Sequence, residues 1–163
     1  MEENDKYKLT FTGDNLIGRA LCRTEDGPKY KLTDETTNLL GRTLYRIEAL
    51  KDFGEIKKGD KGGFIESENN LAHEGDAWVS DNACVYDNAW VSGNGQVYGN
   101  ARVCGNARVY NHACVHDNAR VYGDAFVRGD ACVCGDAEIS NKSDCIVFKN
   151  WWSSGRYFTW TRS

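Results

Sequence analysis

Between residues 75 and 140 the chain repeats one six-residue pattern eleven times without an insertion. Each repeat has a turn pair rich in Gly, Asp and Asn, then a small residue, a variable residue, a branched residue and a second variable residue. The branched positions are Val79, Val85, Val91, Val97, Val103, Val109, Val115, Val121, Val127, Val133 and Ile139. A period of six cannot keep one face of a 3.6-residue helix apolar, so the repeat excludes a helix.

Within each repeat, the alternation of small, variable, branched and variable residues predicts a short strand with Ala and Val on one side. The turn pair tolerates left-handed backbone angles and can therefore bend the chain after every strand. A single strand of this length cannot bury its Val, whereas stacked coils can. A period this short is typical of a parallel β-helix.

The repeat, for example Val-Tyr-Gly-Asn-Ala-Arg at 97–102, resembles that of the hexapeptide-repeat left-handed β-helix proteins. The resemblance implies a left-handed solenoid in which three hexads form one triangular coil. Residues eighteen apart would then stack at about 4.8 Å, and eleven hexads would make nearly four coils. Val and Ala would fill a thin core without room for a ligand, so function is expected on the exterior.

The segment from Asp52 to Leu71, flanked by Leu44-Tyr-Arg-Ile and Gly75-Asp-Ala-Trp-Val, resembles the YdcK-like hexapeptide-repeat proteins of bacteria and their prophages. The resemblance covers about residues 29–142. It implies an all-β fold, a left-handed parallel β-helix of hexapeptide repeats. From the residues on either side we expect an N-terminal β-meander cap and a C-terminal hairpin. We expect the boundaries to fall at 1–74, 75–142 and 143–163.

The N-terminal region contains a duplication, because residues 6–25 and 29–48 are copies of each other. Each copy is predicted to form two short strands joined by a polar turn, and thus a hairpin. A solenoid needs covered ends, so this region is either a cap or a partner-binding module. The glycine-rich segment 59–63 lacks the Lys-Ser/Thr ending of a phosphate loop and is interpreted as a turn.

Beyond Ser140 the pattern changes, and residues 145–151 and 157–161 are predicted to pair as a hairpin around a polar turn. Its aromatic residues are costly to leave in water, so they are expected to pack on the end of the solenoid or on a second subunit. These residues are Trp151, Trp152, Phe158 and Trp160. A truncated closing domain is the other interpretation of this segment.

Composition favours a cytoplasmic protein, in the host cytoplasm if it is phage-encoded. The formal charge of −4 argues against non-specific binding to nucleic acid. Seven cysteines, several at variable outward positions, do not form the framework of a disulfide-stapled secreted domain, and free thiols are expected. No apolar run is long enough to span a membrane, and the N-terminus does not resemble a signal peptide.

An eighteen-residue coil sorts the outward residues onto three faces. On the first face, Cys114 and His116 would lie against Cys132 and Cys134 in a rectangle that a zinc ion could occupy with some strain. Cysteine is, however, common at this chain's variable positions. Surface packing is therefore the favoured interpretation, and no metal or other cofactor is expected.

On the other two faces, arginines alternate with aromatic residues, a pattern that can stack bases or clamp phosphates. The predicted partner-binding residues are Tyr86, Arg102, Arg108, Tyr110, Arg120, Tyr122, Phe126 and Arg128. Stacked arginines need a counter-charge, which an acidic partner could supply. The alternative is that Tyr and Arg are ordinary residues of solvated strands.

These features favour a rigid, non-catalytic binding protein over an enzyme. Many hexapeptide-repeat proteins are acyltransferases, and this is the alternative, but here no loop interrupts the hexads and His116 is expected to lack an orienting carboxylate. The expected partner is a protein or ribonucleoprotein, with a nucleotide or nucleic acid possible. Prophage-borne relatives suggest a phage-encoded inhibitor of a host defence system such as a CRISPR effector. A scaffolding or nucleotide-sequestering role and homo-oligomerisation are also considered.

Overall fold

A computed structural model describes residues 27–141, together with the backbone of two strands at 145–149 and 157–161. These residues form an all-β solenoid of about four turns, and their only helical segment is a single 3₁₀ turn, Glu68–Asn70. No helix within this part of the chain is long and apolar enough to cross a membrane.

The strands before and after the repeats are the longer ones. They are β1 (Tyr30–Leu39), β2 (Arg42–Ala49), β3 (Lys61–Ile65), β15 (Cys145–Lys149) and β16 (Tyr157–Thr161). Each repeat contributes one two-residue strand: β4 (Trp78–Val79), β5 (Cys84–Val85), β6 (Trp90–Val91), β7 (Gln96–Val97), β8 (Arg102–Val103), β9 (Arg108–Val109), β10 (Cys114–Val115), β11 (Arg120–Val121), β12 (Phe126–Val127), β13 (Cys132–Val133) and β14 (Glu138–Ile139).

The repeat strands form three parallel sheets, which are the three faces of the solenoid. Face 1 has the order β4-β7-β10-β13, face 2 contains β5-β8-β11-β14, and face 3 has the order β6-β9-β12. Paired residues are eighteen apart, as in Cys114 with Cys132 and Arg102 with Arg120. The predicted eighteen-residue coil, and the sorting of strand residues onto faces, are therefore confirmed.

The interior of the solenoid is one continuous cluster of small and branched side chains. All eleven branched residues of the repeats are at most 1 % exposed, and the alanines before them are similarly buried except Ala137. Ala and Val together fill a narrow space without polar atoms. This packing turns the variable residues between them outward, as the alternation predicts.

The corners are built by the turn pairs. The first residue of every pair has a φ between 55° and 70°, including non-glycine residues such as Asp81 and Asp117. These carboxylates accept backbone N–H bonds one coil further on, from Gly99 and Gly135 respectively, at 3.0 Å. The bonds help to stabilise left-handed residues that have a Cβ, because Asp and Asn tolerate this conformation better than other residues do.

The second turn residues form hydrogen-bonded ladders along the solenoid axis. Asn82, Asn100, Asn118 and Asp136 are connected in this order by side-chain bonds of 3.5, 3.3 and 3.1 Å. Each coil is thus linked to the next through its corners as well as its strands.

Residues 29–72 cover the open edge of the first coil with three different kinds of donor. On face 1 the ammonium group of Lys29 donates to the carbonyls of Gly75 and Ala77. On face 2 the strand β3 pairs with β5. On face 3 the amide of Asn70 donates to the carbonyls of Asp87 and Ala89. These carbonyls would otherwise need to accept hydrogen bonds from the N–H groups of another coil.

The segment 59–63 differs from its prediction as a turn. Only Gly59 of this segment lies in a turn, together with Lys58, whereas Lys61–Ile65 is strand β3, which lies between β2 and β5. Its two glycines permit close approach to the first coil, since a Cβ on Gly62 would lie 2.6 Å from the carbonyl oxygen of Val79. Glycine serves backbone packing here rather than a turn.

The second copy of the duplication forms the predicted hairpin. Strands β1 and β2 pair antiparallel around Leu40 and Gly41, both of which have positive φ. The first copy, residues 6–25, lies outside the described residues. Because β2 pairs with β3 and β3 with β5, the hairpin extends face 2 into a seven-stranded sheet.

The N-terminal region buries three residues that the repeat pattern places on the exterior. Cys84 and Tyr86 are 8 % and 6 % exposed in a cluster with Leu44 and Phe64. Trp78 is 2 % exposed, with the ring of Phe53 at 5.3 Å. The prediction that Tyr86 is available to a partner is therefore wrong. The period alone cannot show which coils are covered by another part of the chain.

At the other end, β15 and β16 pair antiparallel, with Phe148 opposite Phe158 in the backbone register. Cα atoms of β16 lie within 8 Å of those of β13. Trp151 and Trp152 lie outside the described residues, and Phe158 and Trp160 are described by their backbone alone. The predicted packing of these aromatic side chains stays a prediction.

Candidate functional site

A cluster of potential ligands occupies face 1 near the last coil. The imidazole of His116 and the thiols of Cys132 and Cys134 each offer one ligand atom, and these atoms lie within 4.8 Å of one another. Nε2 of His116 is 3.2 Å from Sγ of Cys132. Both cysteines are exposed, and His116 is partly buried. We call these three residues the Cys/His cluster.

The ring of His116 is held by two neighbours. Its Nδ1 lies 3.2 Å from a carboxylate oxygen of Asp117, and Tyr98 from the preceding coil stacks on the ring at 4.7 Å, with an angle of 7° between the planes. The carboxylate of Asp117 is in turn fixed by the N–H of Gly135. The expectation that His116 lacks an orienting carboxylate is therefore wrong.

The sequence analysis did not predict the contact of Asp117 with His116, because this contact depends on the backbone conformation of Asp117. A corner residue is expected to point away from a strand residue, but Asp117 has a φ of 60° and its carboxylate returns to the histidine beside it in sequence. The available signal was an Asp, rather than the more frequent Gly, at the first turn position directly after a histidine.

Cys114 does not join the cluster, although its Cα pairs with that of Cys132. Its thiol is directed toward the carbonyl of His112, at 3.8 Å, on the corner side of the strand. Three of the four residues proposed from the sequence as a rectangle of ligands are thus brought together. The cysteines of residues 27–141 are all free thiols.

The surroundings of Cys132 disfavour its thiolate form. Burial, followed by the charges of the neighbouring Cys134 and Cys114 thiols, raises the pKa of Cys132 to about 11. The pKa of the Asp117 carboxyl is lowered, first by the N–H of Gly135 and then by His116. Cys132 is therefore protonated at neutral pH, which disfavours thiolate nucleophilic catalysis despite the adjacent histidine.

The arginine-rich area spans faces 2 and 3. On face 3 the guanidinium of Arg108 lies 5.7 Å from the ring centre of Phe126, and Tyr110 meets the same ring edge-on at 6.5 Å. Arg108 and Arg128 are exposed, and no carboxylate in the described part of the chain forms an ion pair with either. We call Arg108, Tyr110, Phe126 and Arg128 the face 3 surface.

Face 2 has a different electrostatic character. Arg102 and Arg120 are neighbours in register, as predicted. Arg120, however, forms an ion pair with Glu138 of the next coil at 3.2 Å, so part of the expected counter-charge comes from the chain itself. Tyr122 is 38 % exposed and remains available on this face. The predicted arginine stack is therefore confirmed in position, but it is not an unpaired row of positive charge.

The fold and these surfaces define a β-solenoid repeat protein whose distinctive side chains lie on the exterior. The model of the YdcK beta solenoid repeat family matches residues 96–110 and 101–117, which lie within the central coils. The resemblance to YdcK-like repeat proteins is thereby confirmed over these residues. Among curated proteins, none matches the chain.

Proposed function

We propose that this chain is a rigid, non-catalytic binding protein that acts through its outward faces on another macromolecule. The observation that carries the proposal is the face 3 surface. Arg108 lies against Phe126 of the next coil, and Arg128, two residues after Phe126 on that coil, is exposed. Two positive groups without an ion-pair partner among the described residues, placed beside aromatic rings, suit an acidic surface.

The construction of the solenoid supports this role. Arg108 extends from β9, which is hydrogen-bonded on both sides, to β6 and to β12, and Phe126 extends from β12, which pairs with β9. A surface fixed in this way loses little conformational entropy on binding, so more of the contact energy contributes to affinity.

The finer proposal concerns the partner. Both an acidic protein and the phosphates of a ribonucleoprotein would complement the face 3 surface, and Tyr122 with Arg102 extends it around the corner onto face 2. The resemblance to prophage-borne relatives favours an inhibitor of a host defence complex, such as a CRISPR effector, acting in the host cytoplasm. We also propose a left-handed coil and a homo-oligomer, in keeping with the hexapeptide-repeat resemblance.

The test is affinity capture of partners by the full chain and by a charge-reversed variant, Arg108→Glu with Arg128→Glu. A specific partner should be retained by the native surface and reduced at least tenfold by the variant. The matched control is Lys57→Glu with Lys58→Glu, which makes the same change in net charge on an exposed turn. Equal capture by all three proteins, or equal loss in both variants, would contradict the proposal.

Acyl transfer is the alternative, because Asp117 orients His116 as a general base would require. Turnover of an acyl-CoA that is abolished by His116→Ala and retained by the Arg108/Arg128 variant would establish the enzyme and exclude the binding protein. No turnover, with capture unaffected by His116→Ala, is the result that the binding proposal expects.

A further inference from the structure

We propose that His116, Cys132 and Cys134 form a binding site for a thiophilic divalent metal ion, with zinc as the natural candidate. Tetrahedral zinc with sulfur and nitrogen ligands requires ligand atoms about 3.6–3.8 Å apart, which follows from bond lengths of about 2.3 and 2.1 Å. The three ligand atoms already lie within 4.8 Å of one another. Reaching that geometry requires the longest of these separations to shorten by about 1 Å, a distance that side-chain rotation can supply. The inference stands independently of the proposed binding function.

The backbone brings the ligands together by repetition. Cys132 and Cys134 flank the buried Val133, so both extend from the same side of strand β13. His116 follows β10, the strand paired with β13, and lies one coil earlier. Cys132 lies on β13, and Cys134 and His116 directly follow β13 and β10. The N–H of His116 donates to the carbonyl of Val133 at 2.9 Å, which fixes the separation of the two segments and limits the ordering cost of binding an ion.

The surroundings of His116 favour the tautomer that a metal ligand needs. With the proton on Nδ1, the imidazole donates to the Asp117 carboxylate, and the lone pair is on Nε2, the atom that faces the Cys132 thiol and would bind the metal when that thiol loses its proton. A carboxylate behind a ligating imidazole fixes its tautomer and orientation and increases its basicity. Stacking against Tyr98 prevents the ring from rotating out of this position.

The donor set determines the kind of ion. Two thiolates and one imidazole favour zinc and other soft or borderline transition metals, whereas magnesium and calcium prefer oxygen ligands. Binding replaces the thiol proton of each cysteine with a metal–sulfur bond, and the two protons pass to solvent. Cys114 is turned away, so three protein ligands leave a fourth position for water or for a group from a partner.

The experiment uses the full chain, reduced and stripped of metal, with its free thiols counted before zinc alone is added. We expect one equivalent of zinc to bind in competition with a chromophoric chelator and to release protons. Cobalt in place of zinc should give the intense thiolate charge-transfer absorption of a tetrahedral site. Reduced protein that binds no zinc would overturn the proposal.

Variants locate the ion. Cys132→Ser and Cys134→Ser should each abolish the cobalt charge-transfer signal or weaken zinc binding by more than about 100-fold, since loss of even an outer hydrogen-bond partner costs about 10- to 100-fold. Cys114→Ser is the matched control, a cysteine on the paired strand whose thiol points elsewhere, and it should bind as the native chain does. Weakening by Cys114→Ser equal to that by Cys132→Ser, or undiminished binding in the Cys132 and Cys134 variants, would overturn the assignment.

Asp117→Asn tests the role of the carboxylate, because the amide oxygen can still accept the N–H of Gly135. We expect zinc affinity to fall about 10- to 100-fold while the cobalt spectrum keeps its tetrahedral character. Thermal unfolding of each metal-free variant separates a lost ligand from a lost fold. An unchanged affinity in Asp117→Asn would contradict the orienting role of Asp117.

Discussion

Lys29 is a buried cation whose ammonium group takes the place of a neighbouring strand. It is 1 % exposed, and its Nζ donates to the carbonyls of Ala77 at 2.8 Å and Gly75 at 3.2 Å. The ring of Phe53 covers it at 4.9 Å. Burial is the main cause that lowers the pKa of Lys29 to about 8, with Asp76 acting in the opposite direction. Burial of the Lys29 ammonium group is therefore unfavourable in itself, but its hydrogen bonds satisfy two carbonyls at the edge of the first coil.

This balance predicts a pH dependence that Lys29→Met removes. Between about pH 8 and pH 10 the unfolded chain keeps the Lys29 proton while the folded chain loses it, so raising the pH stabilises the folded state. The free energy of unfolding of the native chain, minus that of Lys29→Met, should rise by about 2 kcal/mol over this range. Chemical denaturation of both proteins at each pH measures it.

The prediction is stated as a difference between the native chain and Lys29→Met because other groups change stability in the opposite direction. Burial raises the pKa of Tyr30 and of the Cys84 thiol, so the contribution of these groups to the free energy of unfolding falls as the pH rises above the pKa that each has in the unfolded chain. They are present in both proteins and cancel. A native-minus-variant difference that stays flat or falls between pH 8 and 10 would show that Lys29 is not buried as a shifted cation.

Gly62 is required by close packing rather than by its backbone angles. A Cβ there would lie 2.5 Å from Cγ1 of Ile47 and 2.7 Å from the ring of Trp78. Gly62→Ala should cost about 1–3 kcal/mol, because an overpacked backbone must move. Gly41→Ala is the comparison, since its added Cβ meets nothing but its φ of 81° is unfavourable for alanine. Equal stability of Gly62→Ala and the native chain in thermal unfolding would contradict the packing.

At the residue scale, the period predicts burial for the side chains that it places inward, and it is less reliable for those that it places outward. The inward Val and Ala positions are set by local alternation, which sequence contains. Trp78 and Tyr86 are buried by segments 20 to 50 residues earlier, and that docking depends on non-local packing. Asp117 shows the same limit, because its role depends on a left-handed φ that an aspartate adopts only in some contexts.

The two-residue strand is the unit of stability in the solenoid, since each contributes one branched side chain to the core. Val109 is fully buried in the second coil, on β9. Val109→Asp would place a carboxylate among Ala and Val with no partner, and should destabilise the chain by about 4 kcal/mol or prevent folding. Thermal unfolding followed by circular dichroism measures the loss.

Arg108→Asp provides the control, because it introduces the same carboxylate one residue away on the exposed side of the same strand. It should change stability by less than about 1 kcal/mol. Comparable destabilisation by the two substitutions would contradict the burial of Val109 and the exposure of Arg108 on β9.

Strands were predictable where a repeat or a turn marked them. Eleven repeats identify β4–β14 because the branched residue recurs without interruption. The β1–β2 hairpin was predicted from the duplication as two strands around a polar turn, and the structure places its turn at Leu40 and Gly41. Strand β3 was not recognised, because Lys-Gly-Gly-Phe-Ile begins with residues that usually punctuate strands. Its glycines are selected for proximity to the first coil, which only the assembled solenoid reveals.

For the molecule as a whole, the eighteen-residue coil explains both surfaces. It places Cys114 opposite Cys132 and Phe126 opposite Arg108, so the rows of candidate residues could be predicted from the sequence. Side-chain direction could not, because Cys114 turns to its corner while Cys132 turns to His116. The eighteen-residue period predicts which residues are adjacent along the solenoid axis. Local contacts determine which of the adjacent side chains touch each other.

A solenoid in which each coil contacts only its neighbours should tolerate the removal of one whole coil. Deleting residues 93–110 joins Ser92 to Asn111 in the same turn register, leaves β3 and Lys29 on the first coil, and keeps His116, Asp117, Cys132 and Cys134 together. We expect a single cooperative thermal transition and a stability lower by on the order of a few kcal/mol. Deleting residues 55–72 removes the same number of residues but takes away β3 and Asn70. The carbonyls of the first coil on faces 2 and 3 then lose their donors, and we expect the chain not to fold. An unfolded 93–110 deletion would show that the coils are not independent stacking units. A folded 55–72 deletion would show that the first coil does not need its carbonyls covered by residues 55–72.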